Sequence, residues 1–348
     1  MSDASRQTPT NHATADNSAW LAKRTEDVLE PALPICDPHH HLWDHDVQRY
    51  LFEELLGDVT DGHNVVSTVF VECMSMYRAG GPESLRPVGE TEFVNGVAAM
   101  SASGNYGKAR VCAGIVGYAD LALGAPVEAV LEAHLDAGGG RFRGIRDASA
   151  HDPSSGIRRG HTDPGPQRLG DANFREGFAK LGQLGLTYDA WLYHPQIPEL
   201  IDLARAFLDQ PIVLDHVGGP LGIGPYAGRQ AEIFPTWQQT IRDLAECPNV
   251  HVKLGGLGMK ITGFEFHKRP EPPSSEELAD VWRPYIETCI EAFSPKRCMF
   301  ESNFPVDRAA GTFRTYWNAF KRLAAGASDE DKAWLFHDTA ARFYRLPA

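Results

Sequence analysis

Val65-Val66-Ser67-Thr68-Val69-Phe70-Val71-Glu72-Cys73 is a run of β-branched and apolar residues. It is followed, across a stretch containing Gly and Pro, by the amphipathic segment Glu90 to Ala102 and then by a second run of the same kind, Arg110 to Tyr118. Short apolar runs that alternate with helical segments are the mark of βα units around a parallel sheet. Reading outward from this unit, the alternation recurs eight times. The expected strands are Pro34 to His41, Val65 to Cys73, Arg110 to Tyr118, Phe142 to Asp147, Leu186 to Leu192, Ile212 to Val217, Val250 to Leu254 and Cys298 to Glu301. Helical segments between them include Glu90 to Ala102, Val127 to Ala137, Phe174 to Leu184, Ile197 to Leu208, Pro235 to Glu246, Glu276 to Phe293 and Phe313 to Ala324. Most strands hand over to loops rich in Gly, Pro, Asp or His, while return connections such as Leu208-Asp209-Gln210-Pro211 are shorter. This predicts an α/β (β/α)8 barrel, the TIM barrel, over an open doubly wound sheet, which would also carry G-x-G-x-x-G after its first strand. Gly222-Ile223-Gly224 lies in a long loop with no immediate helix start, so it reads as loop and not as a phosphate cradle. Phe313, Tyr316, Trp317 and Phe320 follow i, i+3, i+4, i+7 spacing and are expected to pack in the core.

The chain has 348 residues, long enough for two average domains or for one barrel, so the alternation decides and the length does not. A hydrophobic share of 43% and a charged share of 23% exclude disordered, collagen-like and coiled-coil chains. Lys and Arg total 33 against 46 Asp and Glu, a formal charge of −13, with no basic cluster interleaved with aromatics. Nucleic acid and membrane are therefore not expected partners; a small-molecule substrate is, and a homo-oligomer stays open. The six cysteines form no C-x-x-C pair and read as free thiols of a reducing, cytoplasmic protein. No apolar run approaches the roughly 18 residues needed to span a bilayer. Met1 to Asn17 is polar and lacks the apolar core of a secretory signal. Residues 1–30 are thus expected to form a disordered or loosely ordered tail, and residues 31–348 a single barrel domain.

The strongest chemical signal is Asp37-Pro38-His39-His40-His41-Leu42-Trp43 at the end of the first strand. Alternation along a strand puts Asp37, His39 and His41 on one face and His40 on the other. If that face is the lumen, two imidazoles meet at the barrel mouth, where they can hold a metal or an oxyanion. A second cluster is Val213-Leu214-Asp215-His216-Val217-Gly218-Gly219-Pro220, where the glycines allow close approach and His216 stands where a barrel enzyme places a base or ligand. His194, after Trp191-Leu192-Tyr193, is a further substrate-binding candidate, although His-Pro equally starts a helix. The eighth strand ends in Glu301-Ser302-Asn303-Phe304-Pro305-Val306-Asp307. Glu301 and Asn303 share a face, with Glu301 one layer below; Asn cannot take a proton from water and Glu can. Glu72 is a second candidate carboxylate. Arg146 offers a planar fork for a substrate carboxylate, and Lys253 is a charge within a buried-strand pattern, hence either paired or functional.

The D-x-H-x-H-x-W start, the L-D-H-x-G-x-P sixth strand, the N-V-x-x-K-L seventh strand and the F-x-S-N-F-P eighth strand together resemble the amidohydrolase-related family. Within it, the resemblance points to the branch of fuconolactonase-like and pyrone-dicarboxylate lactonase-like hydrolases, and it runs from about Pro31 to Thr339-Ala340-Ala341-Arg342-Phe343-Tyr344-Arg345-Leu346. The resemblance implies a (β/α)8 barrel in which His39, His41 and His216 form the histidine frame, with an eighth-strand aspartate activating water. It also implies a divalent metal such as Zn²⁺ on these histidines in some members and a metal-independent reaction in others. Asn303 stands where the family usually has its aspartate, which shifts the expected base to Glu301 or Glu72. The expected activity is hydrolysis of a lactone or similar ester-like bond in a small polar or carboxylated molecule. Two alternatives stay open: non-oxidative decarboxylation on the same frame, and a barrel that binds a ligand without turning it over.

Overall fold

The computed structural model describes residues 16–45 and 48–347. Eight strands form one sheet: β1 Pro34–His40, β2 Asn64–Val71, β3 Arg110–Gly117, β4 Phe142–Ile145, β5 Thr187–Ala190, β6 Ile212–Leu214, β7 Val250–Leu254 and β8 Cys298–Phe300. Their spatial order follows the chain, and each successive pair is parallel. Beyond β8 the backbone closes the ring onto β1: Asn303 N donates to His39 O at 2.9 Å and His41 N to Phe304 O at 2.8 Å. The helices following the strands in turn are α1 Phe52–Val59, α2 Val88–Ala102, α3 Val127–Ala137, α4 Ala172–Gln183, α5 Ile197–Ala206, α6 Gln230–Ala245, α7 Ser275–Phe293 and α8 Phe313–Leu323. The expected (β/α)8 barrel is therefore the architecture.

Strand cores and helices lie where the apolar pattern places them, but several strands stop sooner than their apolar runs. β5 ends at Ala190 and β6 at Leu214, where Leu192 and Val217 were expected. The residues in between are buried but leave the ladder as they turn into the βα loops, so apolar character persists after strand pairing ends. Between β1 and α1 the chain adds a small hairpin, Trp43–His45 with Gln48–Tyr50, which the pattern did not foretell. The aromatic stripe of α8 is core as expected: Phe320 stacks on Phe300 at 4.7 Å, and Trp317 is 0% exposed. Truncating such a residue to Ala costs about 3–5 kcal/mol. A smaller cluster fills the barrel interior, with Val69, Val71, Val116, Val213 and Met299 from the strands plugged from below by Phe343 and Tyr344 of the C-terminal segment.

The expectation of a loose tail over residues 1–30 is corrected for its described part. Trp20 Nε1 donates to Arg269 O at 2.9 Å, Arg24 Nε to Pro272 O at 2.7 Å, and Glu26 accepts from Ser275 N at 2.7 Å. Lys321 Nζ in turn holds the carbonyls of Leu29 and Glu30. The segment is fastened by hydrogen bonds to the loop before α7, to the first residue of α7 and to α8; residues 1–15 lie outside the described residues. All six cysteines are free thiols. Among the described residues no helix is long and apolar enough to cross a membrane.

Candidate active site

At the ends of the strands a narrow cavity of about 40 Å³ opens, walled by His41, Arg146, His161, His216 and Asn303 with Trp43 and Trp191 beside them. His39 and His41 converge as alternation requires: their Nε2 atoms are 3.3 Å apart, while His40 points away to Thr68 Oγ1 at 2.8 Å. The His39 and His216 rings lie 4.5 Å apart between centroids. One site thus holds all three expected histidines. Asp37, the fourth member of the first motif, clamps the barrel seam instead, accepting from Ser302 N at 3.0 Å and Ser302 Oγ at 2.6 Å. Burial raises its carboxyl to about 7.

His216 reaches the cavity through an unusual turn. His216 and Val217 have φ of +56° and +47°, and Gly218 and Gly219 continue in the same region, so the chain leaves β6 in a left-handed curl that non-glycine residues seldom adopt. Gly255 and Gly256, directly after β7, make room for it. A Cβ on Gly256 would lie 2.4 Å from His216 Cβ, and one on Gly255 2.4 Å from Glu301 Cγ. Glycine at both positions leaves the space that His216 and Glu301 occupy.

Beneath the cavity lies a second layer with no solvent exposure: His39, Asp189, Asp215, Lys253 and Glu301. Glu301 bridges two imidazoles, with Oε1 2.6 Å from His216 Nδ1 and Oε2 2.9 Å from His39 Nδ1. Burial would raise its carboxyl, but the two imidazoles outweigh that and hold it below the ordinary range. This corrects the expectation of Glu301 as the base acting on water. It is absent from the cavity wall; Oε1 accepts from His216 N and Nδ1, and Oε2 lies against His39 Nδ1 with no hydrogen-bond partner of its own among the described residues. Glu72 is likewise committed: Arg146 Nε donates to Oε1 at 2.7 Å and His161 Nε2 lies 2.9 Å from Oε2. Lys253 is paired and not a substrate anchor, with Nζ 2.6 Å from Asp189, 3.0 Å from Asp215 and 3.1 Å from His39 Nδ1. His194 lies off the cavity wall; its Nδ1 accepts from Leu221 N at 3.2 Å. Of the two cations, Arg146 alone lines the cavity.

Asn303 is on the wall with φ +54°, a conformation that asparagine tolerates better than most residues. Its Nδ2 donates to Asp307 Oδ1 at 3.0 Å, and its Oδ1 has no partner among the described residues. Sequence reading missed His161, which sits in the irregular loop after β4 where no spacing marks it. It also missed Asp189 and Asp215, whose role depends on Lys253 arriving from another strand. His161 additionally borders a larger cavity of about 780 Å³ lined by Tyr77, Arg86 and Tyr118.

The tautomers follow from the partners. Val71 O lies 2.8 Å from His41 Nδ1 and can only accept, so His41 carries its proton there and turns a lone pair on Nε2 toward His39. His216 Nδ1 donates to Glu301, which leaves its Nε2 as an acceptor. Burial, followed by the nearby His39 and Arg146, keeps His41 neutral, well below the ordinary histidine pKa. These residues fit a divalent ion. Two donors bonded at about 2.0–2.1 Å in a tetrahedral site lie roughly 3.3 Å apart, the Nε2 separation of His39 and His41. His39, His216 and Glu301 also present ligand atoms within 4.8 Å of one another. In the buried layer and its rim, four carboxylates (Glu72, Asp189, Asp215, Glu301) face two permanent cations (Arg146, Lys253), an excess of negative charge that an added cation would balance.

Comparison with known proteins agrees with this geometry. The chain is 34% identical over 336 residues, 90% of its length and 99% of the relative's, to an uncharacterised protein, y4mH, of Sinorhizobium fredii. It is 28% identical over 178 residues to an L-fucono-1,5-lactonase of Burkholderia multivorans, a match covering 51% of this chain and 57% of the lactonase. Among solved structures, an amidohydrolase from Burkholderia multivorans with bound zinc shares the fold at a TM-score of 0.69 and 24% identity, covering 90% of this chain and 99% of that one. A protein named as a 2-pyrone-4,6-dicarboxylic acid hydrolase from Pseudomonas putida does so at 0.60 and 17%, covering 91% and 99%. The amidohydrolase family model matches residues 36–346, which takes in all but the first two residues of β1 and every histidine described above; the chain belongs to the amidohydrolase family.

Proposed function

We propose that this enzyme hydrolyses a lactone or similar cyclic ester in a small polar molecule, with His216 as the cavity-facing base. The observation that carries the reading is the 2.6 Å contact of His216 Nδ1 with Glu301, which holds the ring with its Nε2 lone pair on the cavity wall beside Arg146 and Asn303. A base held by a buried carboxylate, next to a cation and an amide, is an arrangement for acyl transfer to water.

In this reading His216 Nε2 accepts a proton from water as the water oxygen bonds to the lactone carbonyl carbon. Glu301 stabilises the imidazolium that forms. Arg146, locked by Glu72 through Nε at 2.7 Å and through the Glu72 backbone carbonyl, and with Nη1 3.3 Å from His39 Nε2, places its charge on the cavity wall beside the developing oxyanion. Asn303 Oδ1 accepts a hydrogen bond from the attacking water. When the ring C–O bond breaks, His216 returns its proton to the leaving alkoxide and a hydroxy acid is released. A divalent ion would be held by Nε2 of His39 and His41 and would polarise the scissile carbonyl. The cavity of about 40 Å³ admits only the reacting edge of a substrate, so the remainder extends past His161 toward Tyr77, Tyr118 and Arg86.

The lactonase names of relatives support this substrate class. The test is a panel of sugar lactones, aromatic lactones and aryl esters followed by proton release, with product analysis and elemental analysis of the purified protein. Ring opening that is lost in His216→Asn is expected. Release of CO₂ without ring opening would replace the proposal with decarboxylation, and tight binding without turnover would replace it with a ligand-binding barrel.

A further inference from the structure

At the opposite end of the barrel, where the strands begin, a cavity of about 610 Å³ is rimmed by Arg110, Arg141, Arg143, Arg342 and Arg345. Its lining contains no Asp or Glu, and none of the five arginines has a carboxylate partner among the described residues. In a chain with 46 acidic and 33 basic residues this is the reverse of the overall balance. Asp338, the acid next to a lining residue, is taken by His337 at 2.8 Å.

The guanidiniums are held but not used up. Arg141 Nη1 donates to Asn95 Oδ1 at 2.6 Å, Arg143 Nη1 to Gly140 O at 2.7 Å, Arg345 Nη2 to Arg143 O at 3.3 Å and Arg110 Nη1 to Lys108 O at 3.0 Å. Arg342 lies over the Trp334 ring at 4.2 Å. Each arginine carries five N–H donors, so most remain available, and Arg143 Nε is buried with no partner among the described residues. Burial, together with repulsion from Arg345 and Arg141, pushes the Arg143 pKa down, as expected of like charges gathered around a space with no counter-charge among the described residues. The floor is apolar, formed by Val66, Ala98, Val111 and Leu346.

We propose that this cavity is a binding site for an organic diphosphate of nucleotide size, separate from the catalytic mouth. Several guanidiniums without carboxylates select for more than one negative charge, and their planar forks suit phosphoryl oxygens. The apolar floor and the volume, within the range of small-molecule pockets, select for an organic body attached to those charges.

The test uses the full-length protein and calorimetry at low and moderate salt with ADP, inorganic pyrophosphate and adenosine. ADP is expected to bind with one site per chain, pyrophosphate more weakly, and adenosine not at all. Arg143→Gln with Arg345→Gln should weaken ADP by about 30-fold or more, as loss of two charge-assisted contacts implies. Arg110→Gln with Arg342→Gln, both exposed, serves as a second variant that leaves the half-buried Arg143 in place and should weaken ADP by about 10-fold. Hydrolytic activity should be unchanged in both. No ADP binding at millimolar concentration, binding that survives both double variants, or displacement of ADP by a ligand of the catalytic cavity would each overturn the proposal.

Discussion

The two ends of this barrel treat charge in opposite ways. At the mouth, Lys253 and Arg146 are buried, and each touches two carboxylates: Asp189 and Asp215 for the first, Glu72 and Asp215 for the second. At the base, five arginines share a cavity with no carboxylate among the described residues. A charge removed from water must be met by an opposite charge or it loses several kcal/mol, whereas a guanidinium at a solvated rim can stand unpaired at little cost. The mouth is therefore a fixed lattice in which each side chain is set by others, and the base is a surface that keeps its donors for something else.

The sharpest way to break this comparison is at the wall of the mouth. His216→Asn removes the base and should lower kcat by about 10⁴-fold, the upper range for losing a general base, as followed by lactone turnover. Lys253→Met should destabilise the fold by about 3–5 kcal/mol in urea unfolding, because it leaves Asp189 and Asp215 facing each other in the interior. Arg110→Gln at the other end, where the side chain is exposed, should change stability by less than about 0.5 kcal/mol. Similar losses from both substitutions would erase the distinction between the two ends.

Glu301→Gln tests the layer below the wall. It keeps the shape but loses the charge that favours the imidazolium, so kcat should fall by about 10²-fold while KM changes little. Unchanged kcat would remove Glu301 from the mechanism. Tyr344→Phe removes the 2.6 Å hydrogen bond to Asp189 and should cost about 1 kcal/mol.

The smallest effect concerns pH. Glu301 and Glu72 are held below their ordinary value of 4.5, so the stability they add is present above that pH and is lost as the pH falls through their depressed folded values. Glu90 is the reverse. Burial and then Glu72 raise it, so its contribution is present below 4.5 and is lost as the pH rises through its elevated folded value. Glu90→Gln should flatten the decline of unfolding free energy between pH 6 and pH 8, by about 1.4 kcal/mol for each pH unit below the elevated folded value. A decline as steep as that of the parent protein would assign it to other groups.

Much of this molecule was legible in the chain. Val250 to Leu254 and Val127 to Ala137 match β7 and α3 end to end, and the alternation of Asp37, His39 and His41 foretold the facing Nε2 atoms. These are local properties: a period of 2 or 3.6 follows from backbone geometry, and strand parity fixes which side chains share a face. The convergence of His216 on the same pocket also followed, since barrel strands all present their ends to one mouth.

What only the tertiary structure decided is the role of each charged group. Glu301 reads in sequence as either a base or a paired structural carboxylate, and it is paired because β1 and the turn after β6 deliver the Nδ1 atoms of His39 and His216 to it. Lys253 reads as either paired or functional, and Asp189 and Asp215, from β5 and the end of β6, settle that it is paired. The Gly255-Gly256 pair matters because His216 and Glu301 occupy the space their side chains would fill, and His161 matters because its loop folds back onto Glu72. The sequence by itself determined the elements and the face each residue takes, since these depend on neighbours along the chain. The chemistry depends on distances of a few Å between residues from different strands, and burial sets the strength of those contacts; both arise only when the barrel closes.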